Sequence, residues 1–442
     1  MGTFVASEED VAFPRTLESE TDRPLNIVRN KTMNNLACNC LSRLDGVSAT
    51  ELERLFPEPS STAPLLSLLQ ESGIDGFNLR SIVVSKNDVP ILLLPLFECL
   101  YDLSSFAKGW TKKSLKAAAR LIPSIFHPRI LGVGLLEGGW SEIGTDPQID
   151  EDTLEAAWGM ALGALQVLAT ECKSDVVVFY NFDHHVNLPV EVLKKFNRVP
   201  WLPCARLPIT FNSLEEYLSR LSKAARKDLR RKVRLSNKVR VVRSRNISPY
   251  LERIYRLYLE TVERGPTALS VHNRLFLEKI CDRVPDAAYT LYFVEEELVA
   301  FNLLVVKQEV MVDIFFCMDY ELGRKYNLYV LSWLENLRAC VEQKIPLYQA
   351  GQGAEKTKAH MGATFSPSLI LFKHRLTFYD RFLFKHTAVI GKVLSYLGFR
   401  PGTDRSTGPD ETAQVDRLKA EDCQGINMRL RCCEMEIYDQ RS

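Results

Sequence analysis

The sequence predicts a mixed α/β (α+β) protein of two tandem units, each a mostly antiparallel sheet flanked by helices, with a long basic helix linking them. Three observations carry this. Apolar runs of β type, separated by turn residues, alternate with segments of helical spacing. The order strands, helix, strand occurs twice along the chain. Between the two occurrences, residues 220 to 245 hold twelve Lys or Arg against one acid, Asp228, about +11 of charge in a chain whose total is +1.

The first 60 or so residues carry turn signals such as "PEPSST" and read as a leader that caps the first unit. From Gly73, "FNLRSIVVSKNDVPILLLPLF" reads as two strands joined by a turn at Asn87 and Asp88. "EDTLEAAWGMALGALQVLATEC", residues 151 to 172, has helical apolar spacing, and "DVVVFYN" follows as a buried strand. The second occurrence opens with a meander, "AAYTLYFVEEELVAFNLLVVKQEVMVDIFFCMDY", with turns at Glu296 and Gln308. A helix, "NLYVLSWLENLRACVEQK", and a strand, "IPLYQA", complete it. Ser213 and Glu216 have capping-box spacing at the start of the basic helix. Ser248 and Pro249 fit the start of another helix, which Gly265 and Pro266 stop.

Composition excludes several function classes. With 442 residues and 46% hydrophobic content the chain is globular and of two or three domains, and 56 basic against 55 acidic residues leave no overall polyelectrolyte character. Eleven scattered cysteines lack zinc spacing and, with a start that has no leader-like apolar run, point to a reducing cytoplasm. "VPILLLPLFECL" is too short to span a bilayer, so no transmembrane segment is expected.

On a single long helix, Leu214, Leu218, Leu221, Ala225 and Leu229 form one stripe, and Lys223, Arg226, Arg230 and Arg234 the opposite one. The apolar stripe should be buried and Arg226 and Arg230 exposed toward a cleft. Phosphates are the natural partners of such a face, since Arg offers them bidentate geometry and Lys a point charge. The plain alternative is a solvated face shielded by acids from other elements.

The helix "SLEEYLSRLSKAARKDLRRKVR", the meander, the helix after it and the strand ending in "GQGAEKTKAHMGA" together resemble the Fem-type branch of the GNAT acyltransferase superfamily over residues 70 to 378. Gly351, Gly353, Glu355, Lys358 and Gly362 match the small-residue turn, acid, lysine and glycine that close the second domain in that group. The resemblance implies tandem GNAT-like domains: a leader over 1–65, a first domain over 66–210, the basic helix and second domain over 211–380, and a C-terminal helix and flexible tail over 381–442. It implies direct attack of an amine on a thioester or ester, with acyl-CoA or an acyl-carrier-protein thioester as donor and no metal. Fem-type relatives take acyl groups from aminoacyl-tRNA instead. "DYELGRKYNLYVL" has only Gly323 where acyl-CoA enzymes carry a glycine-rich pyrophosphate loop, so the donor stays open.

The acceptor implied is a small-molecule or cell-envelope-precursor amine, with an acyl carrier protein or tRNA as a further partner. Lys358 is then the candidate catalytic residue, its ammonium stabilising the negative oxygen of the attacked carbonyl, with Glu355 orienting it. Gly351, Gln352 and Gly353 would approach the ligand through backbone, and Lys223, Arg226 and Arg230 would hold phosphate. The bland reading is a hairpin turn with Lys356 and Lys358 in solvent. Two other functions fit the chain: a degenerate pair that binds a phosphorylated ligand without turnover, and RNA or tRNA binding through the basic stripe.

Other signals carry less. His184 and His185 are adjacent and lack a third ligand, and "GVGLLEGGW" reads as a loop. Cys38 with Cys40, and Cys432 with Cys433, read as free thiols in flexible ends. Trp333 and Tyr326 read as core. Residues 382–399 form an amphipathic pattern suited to docking on the domain or on a membrane surface.

Overall fold

The computed structural model describes residues 25–28, 35–57, 62–101, 127–137, 139–183, 188–200, 202–264, 271–366 and 368–376. His184, His185, Cys432, Cys433 and the 382–399 pattern lie outside them. The first part of the chain forms β1 (Leu25–Val28), β2 (Leu36–Leu41), α1 (Ala49–Leu55), α2 (Thr62–Ser72), β3 (Ile74–Asp75), β4 (Phe77–Lys86), β5 (Val89–Leu100), β6 (Arg129–Val133), β7 (Gly144–Thr145), α3 (Glu151–Glu171) and β8 (Val176–Asp183). Next come α4 (Val190–Lys195), β9 (Asn197–Pro200), β10 (Cys204–Pro208), α5 (Leu214–Arg220), α6 (Lys223–Leu235), β11 (Val239–Ser244), α7 (Leu251–Arg264), β12 (Val271–His272) and α8 (Arg274–Arg283). The meander is β13 (Ala287–Val294), β14 (Glu297–Lys307) and β15 (Val310–Met318). It leads through α9 (Tyr320–Lys325) and α10 (Leu328–Gln343) to β16 (Leu347–Gly351), α11 (Glu355–His360), β17 (Thr364–Ser366) and β18 (Ser368–His374).

Two sheets result, as the sequence predicts. One runs β1-β2-β4-β5-β6-β8-β18-β9, with β3, β7 and β12 attached at its side; the other runs β11-β13-β14-β15-β16-β10-β17. Each is antiparallel except for one pair, β6 with β8 and β15 with β16, and each parallel pair is bridged by helix, α3 in the first and α9–α10 in the second. That is the geometric requirement of a parallel connection, which cannot be made by a tight turn.

Local chemistry explains the elements. Asn87 and Asp88 both take positive φ, 51° and 65°, the conformation a two-residue hairpin turn demands and which these side chains tolerate best after glycine. Asp150 caps α3 by accepting from the Thr153 amide at 2.8 Å. β5 is apolar from Val89 to Phe97 because both its faces are covered: Leu92 and Leu94 pack with α3, and Leu93 packs with α1 and α2.

The structure departs from expectation at five points. The chain from Leu36 to Leu55 is not a loose leader, because β2 pairs with β4 and Leu52 and Leu55 are core residues. Cys38 and Cys40, expected in a flexible end, lie two apart on one face of β2 and are buried beneath α3, where burial pushes the Cys38 thiol up to about 12. The basic helix is broken. Leu221 is extended at ψ 157°, and Ser222 starts a new helix by accepting from the Ala225 amide at 3.2 Å. Ser213 does cap the first piece through the Glu216 amide, but Glu216 answers to the Asn212 amide rather than to Ser213, so the box is half formed. The sheets also exchange strands, since β10 joins the second sheet and β18 returns to the first. A boundary drawn at 210 and 211 therefore separates β10 from the strands it pairs with.

Candidate active site

β15 and β16 run side by side only from Val310 to Val312 and from Leu347 to Gln349, and then part. The register shows why. β15 carries an extra residue against β14, since Leu304 faces Asp313 and Leu303 faces Phe315, and β16 carries one against β10, since Arg206 faces Gln349 and Ala205 faces Gly351. Two bulges at one level bend the strands apart and re-aim their side chains. The opening holds a cavity of about 300 Å³, with Asp313, Ile314 and Phe316 on one lip and Ala350 to Ala354 on the other. Tyr329, Ser332 and Trp333 of α10 and Lys358 of α11 close its sides.

Asp313 is the chemical centre of this opening. Its carboxylate accepts from Asn302 Nδ2 at 3.0 and 3.1 Å, from Asn336 Nδ2 at 3.2 Å and from the Tyr348 hydroxyl at 3.0 Å. Tyr292 donates to Asn302 Oδ1 at 2.8 Å, and Asn336 also donates to the Tyr348 oxygen at 2.9 Å, so the orienting groups are themselves held. Burial pushes the Asp313 pKa up to about 6, against the opposing pull of these hydrogen bonds and of the Lys358 charge. Three of its four bonds fall on Oδ2, which leaves Oδ1 the less engaged oxygen.

Lys358 borders the same cavity and is buried, 4% exposed. Its ammonium is already engaged. Nζ donates to the carbonyls of Ala350, Gly351 and Gln352 at 2.7, 3.1 and 3.0 Å, which uses all three of its N–H groups and leaves none for a substrate oxyanion. The lysine instead ties down the lip of the cleft. Burial lowers its pKa, and the nearby Asp313 opposes that. Glu355 is half-buried and acts on the lysine through its field, since the hydrogen bonds all go to carbonyls; burial raises its own pKa. Lys356 is exposed. The expected plain turn contains the short helix α11, entered through positive φ at Gly351, Gly353 and Ala354.

The basic residues are elsewhere. None of Lys223, Arg226 and Arg230 borders the cavity. Arg226 donates to the Ser219 carbonyl at 3.0 Å, Arg230 pairs with Glu215 at 2.6 Å, and Lys223 opens α6 in solvent. The break at Leu221 and Ser222 turns α6 away from the direction a single helix would take, and the expected convergence of arginines on the cleft is lost with it. Gly351, Gln352 and Gly353, by contrast, lie on the lip of the cavity.

The first sheet buttresses the opening from behind. Gly139, at φ 90°, accepts from Gln349 Nε2 and Asn181 Nδ2, both at 3.2 Å, and a Cβ there would come within 2.9 Å of Gln349 and 3.0 Å of Val312, the last paired residues before the strands part. Beside it the buried Lys307 donates to the Trp140 carbonyl at 3.0 Å, lies 4.5 Å over the Trp140 ring and meets Glu142 at 3.5 Å.

The site is thus a helix-lined cleft where a central strand bends away from its parallel neighbour. Residues 223–359 match the acetyltransferase (GNAT) domain. Among solved structures the chain is similar to the C-terminal domain of a putative lysylphosphatidylglycerol synthetase from Agrobacterium fabrum, at 11% identity and TM-score 0.47 over 76% of this chain and 96% of that one. It is also similar to a tandem GNAT protein from the clavulanic acid biosynthesis pathway, at 10%, 0.43, 77% and 98%, and to FemX, at 12%, 0.44, 73% and 94%. No curated protein matches the sequence.

Proposed function

We propose that this protein is an N-acyltransferase in which a primary amine, seated in the β15–β16 cleft, attacks the carbonyl of a thioester or ester donor while Asp313 takes its proton. The nitrogen–carbon bond forms, the carbon–sulfur or carbon–oxygen bond of the donor breaks, and the proton leaves on the carboxylate. The observation that carries this reading is the placement of Asp313: an anchored carboxylate bordering the cavity, with a pKa of about 6, ionised and still basic at neutral pH. The matching GNAT domain supports acyl transfer as the reaction class. Acyl-CoA, an acyl carrier protein and aminoacyl-tRNA are the donors to compare. A reducing cytoplasm is the working compartment that the scattered cysteines, without zinc or disulfide-framework spacing, support.

The test is a pH profile with whichever of these donors supports turnover. Below its pKa Asp313 is protonated and cannot accept, so kcat/KM should fall about tenfold per pH unit on the acid side of about 6 and level off above it. An acid limb absent down to pH 5, or no turnover with any of the three donors and simple primary amines, would overturn the reading.

A further inference from the structure

The cationic face of α6 takes no part in the cleft. Lys223, Lys227, Arg230, Arg231 and Arg234 recur at helical spacing and are all exposed, whereas Ala225 and Leu229 on the opposite side are buried. The first and last stand about 16 Å apart along one edge. Arg230 pairs with Glu215 and Arg231 with Asp228, but Lys223, Lys227 and Arg234 form no ion pair among the described residues. Lys238 and Arg240 continue the charge into β11, and Leu235, 48% exposed, flanks the row.

We propose that this face docks the protein on an anionic phospholipid surface. A straight row of cations on a cylinder touches a plane along its whole length, so every charge sits at the same depth in the potential of the lipid headgroups. A nucleic-acid duplex is itself a curved cylinder, and crossing it would bring only part of the row near phosphates. Single-stranded nucleic acid would call for exposed aromatic rings beside the cations, and the exposed large apolar side chain on α6 is aliphatic. Leu235 is placed to enter the headgroup layer, adding apolar contact to the electrostatic term. The opposite face of α6 packs on α10, whose Tyr329, Ser332 and Trp333 line the cleft, so docking would hold the opening one helix from the membrane surface.

The experiment is co-sedimentation of the full-length chain with vesicles of phosphatidylcholine containing about 30% phosphatidylglycerol, beside vesicles of phosphatidylcholine alone. Each basic side chain held at such a surface is worth about fivefold in partitioning, so Lys227→Gln combined with Arg234→Gln should weaken binding to the anionic vesicles about 25-fold. Binding should also weaken as salt is raised, and the neutral vesicles should bind weakly throughout. Both positions are exposed, and an unchanged melting temperature checks that the fold is intact. Absence of binding to anionic vesicles, equal binding to both vesicle types, or full binding by the double variant overturns the proposal. So does a double variant that loses affinity for a short RNA duplex more than for vesicles, which would give the face to nucleic acid. The readout is partitioning and not turnover, so its failure is distinct from failure of the acyl-transfer reading.

Discussion

Asp313→Asn should lower kcat by about 10²- to 10⁴-fold, the range that a positioned general base contributes, with KM changed only a few-fold. Asparagine keeps the shape of the side chain and removes the carboxylate proposed to receive the proton of the attacking amine. The acid limb of the pH profile should vanish with it. Stability moves in the opposite direction. A carboxyl whose folded pKa is raised binds its proton more tightly in the folded state, so its contribution falls as pH rises from about 4 in the unfolded chain to about 6 in the folded one. The variant should lack that pH-dependent loss. Rapid-quench measurement of a single turnover checks the first effect, and urea titrations at pH 4.5 and 7 check the second. An Asn variant within fivefold of the parent in kcat would remove Asp313 from the reaction.

Lys358→Met should cost about 3 to 5 kcal/mol of stability and abolish turnover by raising KM as well as lowering kcat. Three charge-assisted bonds of roughly 1.5 to 3 kcal/mol each disappear, and the carbonyls of Ala350, Gly351 and Gln352 lose the donor they share. The total falls short of their sum because bonds to one atom are not independent. A lysine acting only on an oxyanion would instead lower kcat alone at unchanged stability. Lys356→Met, two residues away and exposed, should stay within about 0.5 kcal/mol of the parent and keep its activity. Denaturant titrations of the two variants, set beside their kcat and KM, separate a tether from an oxyanion donor.

Much of the fold was legible because its signals are local. The meander could be read from apolar runs interrupted by polar turn residues, and α3 from its apolar spacing. The break in the basic helix was also local, but Ser222 competes as an N-cap with a helical pattern that continues through it. α11 has only six residues, too few to show a period, and it follows two glycines that read as a turn. At the site, the glycine turn and Lys358 were recognisable as a motif, whereas Asp313 was not. Its signal was present: a single acid inside "VMVDIFF", with lone asparagines in "AFNLLVV" and "LENLRAC". Asp313 and Asn302 are polar residues in segments otherwise destined for burial, and Asn336 lies on the buried face of its helix, which is unfavourable unless partnered. Only the folded chain shows that Asn302 and Asn336 are those partners. The exchange of β10 and β18 leaves no trace in sequence, because strand pairing across more than a hundred residues depends on no neighbouring residue.

That exchange has a consequence for how the molecule comes into being. β10 leaves the first half of the chain to complete the second sheet, and β18 must cross back to complete the first, so neither sheet closes until the ribosome has delivered the residues near 374. Assembly is therefore governed by late, long-range closure. Such a topology folds slowly and exposes unpaired strand edges while it waits.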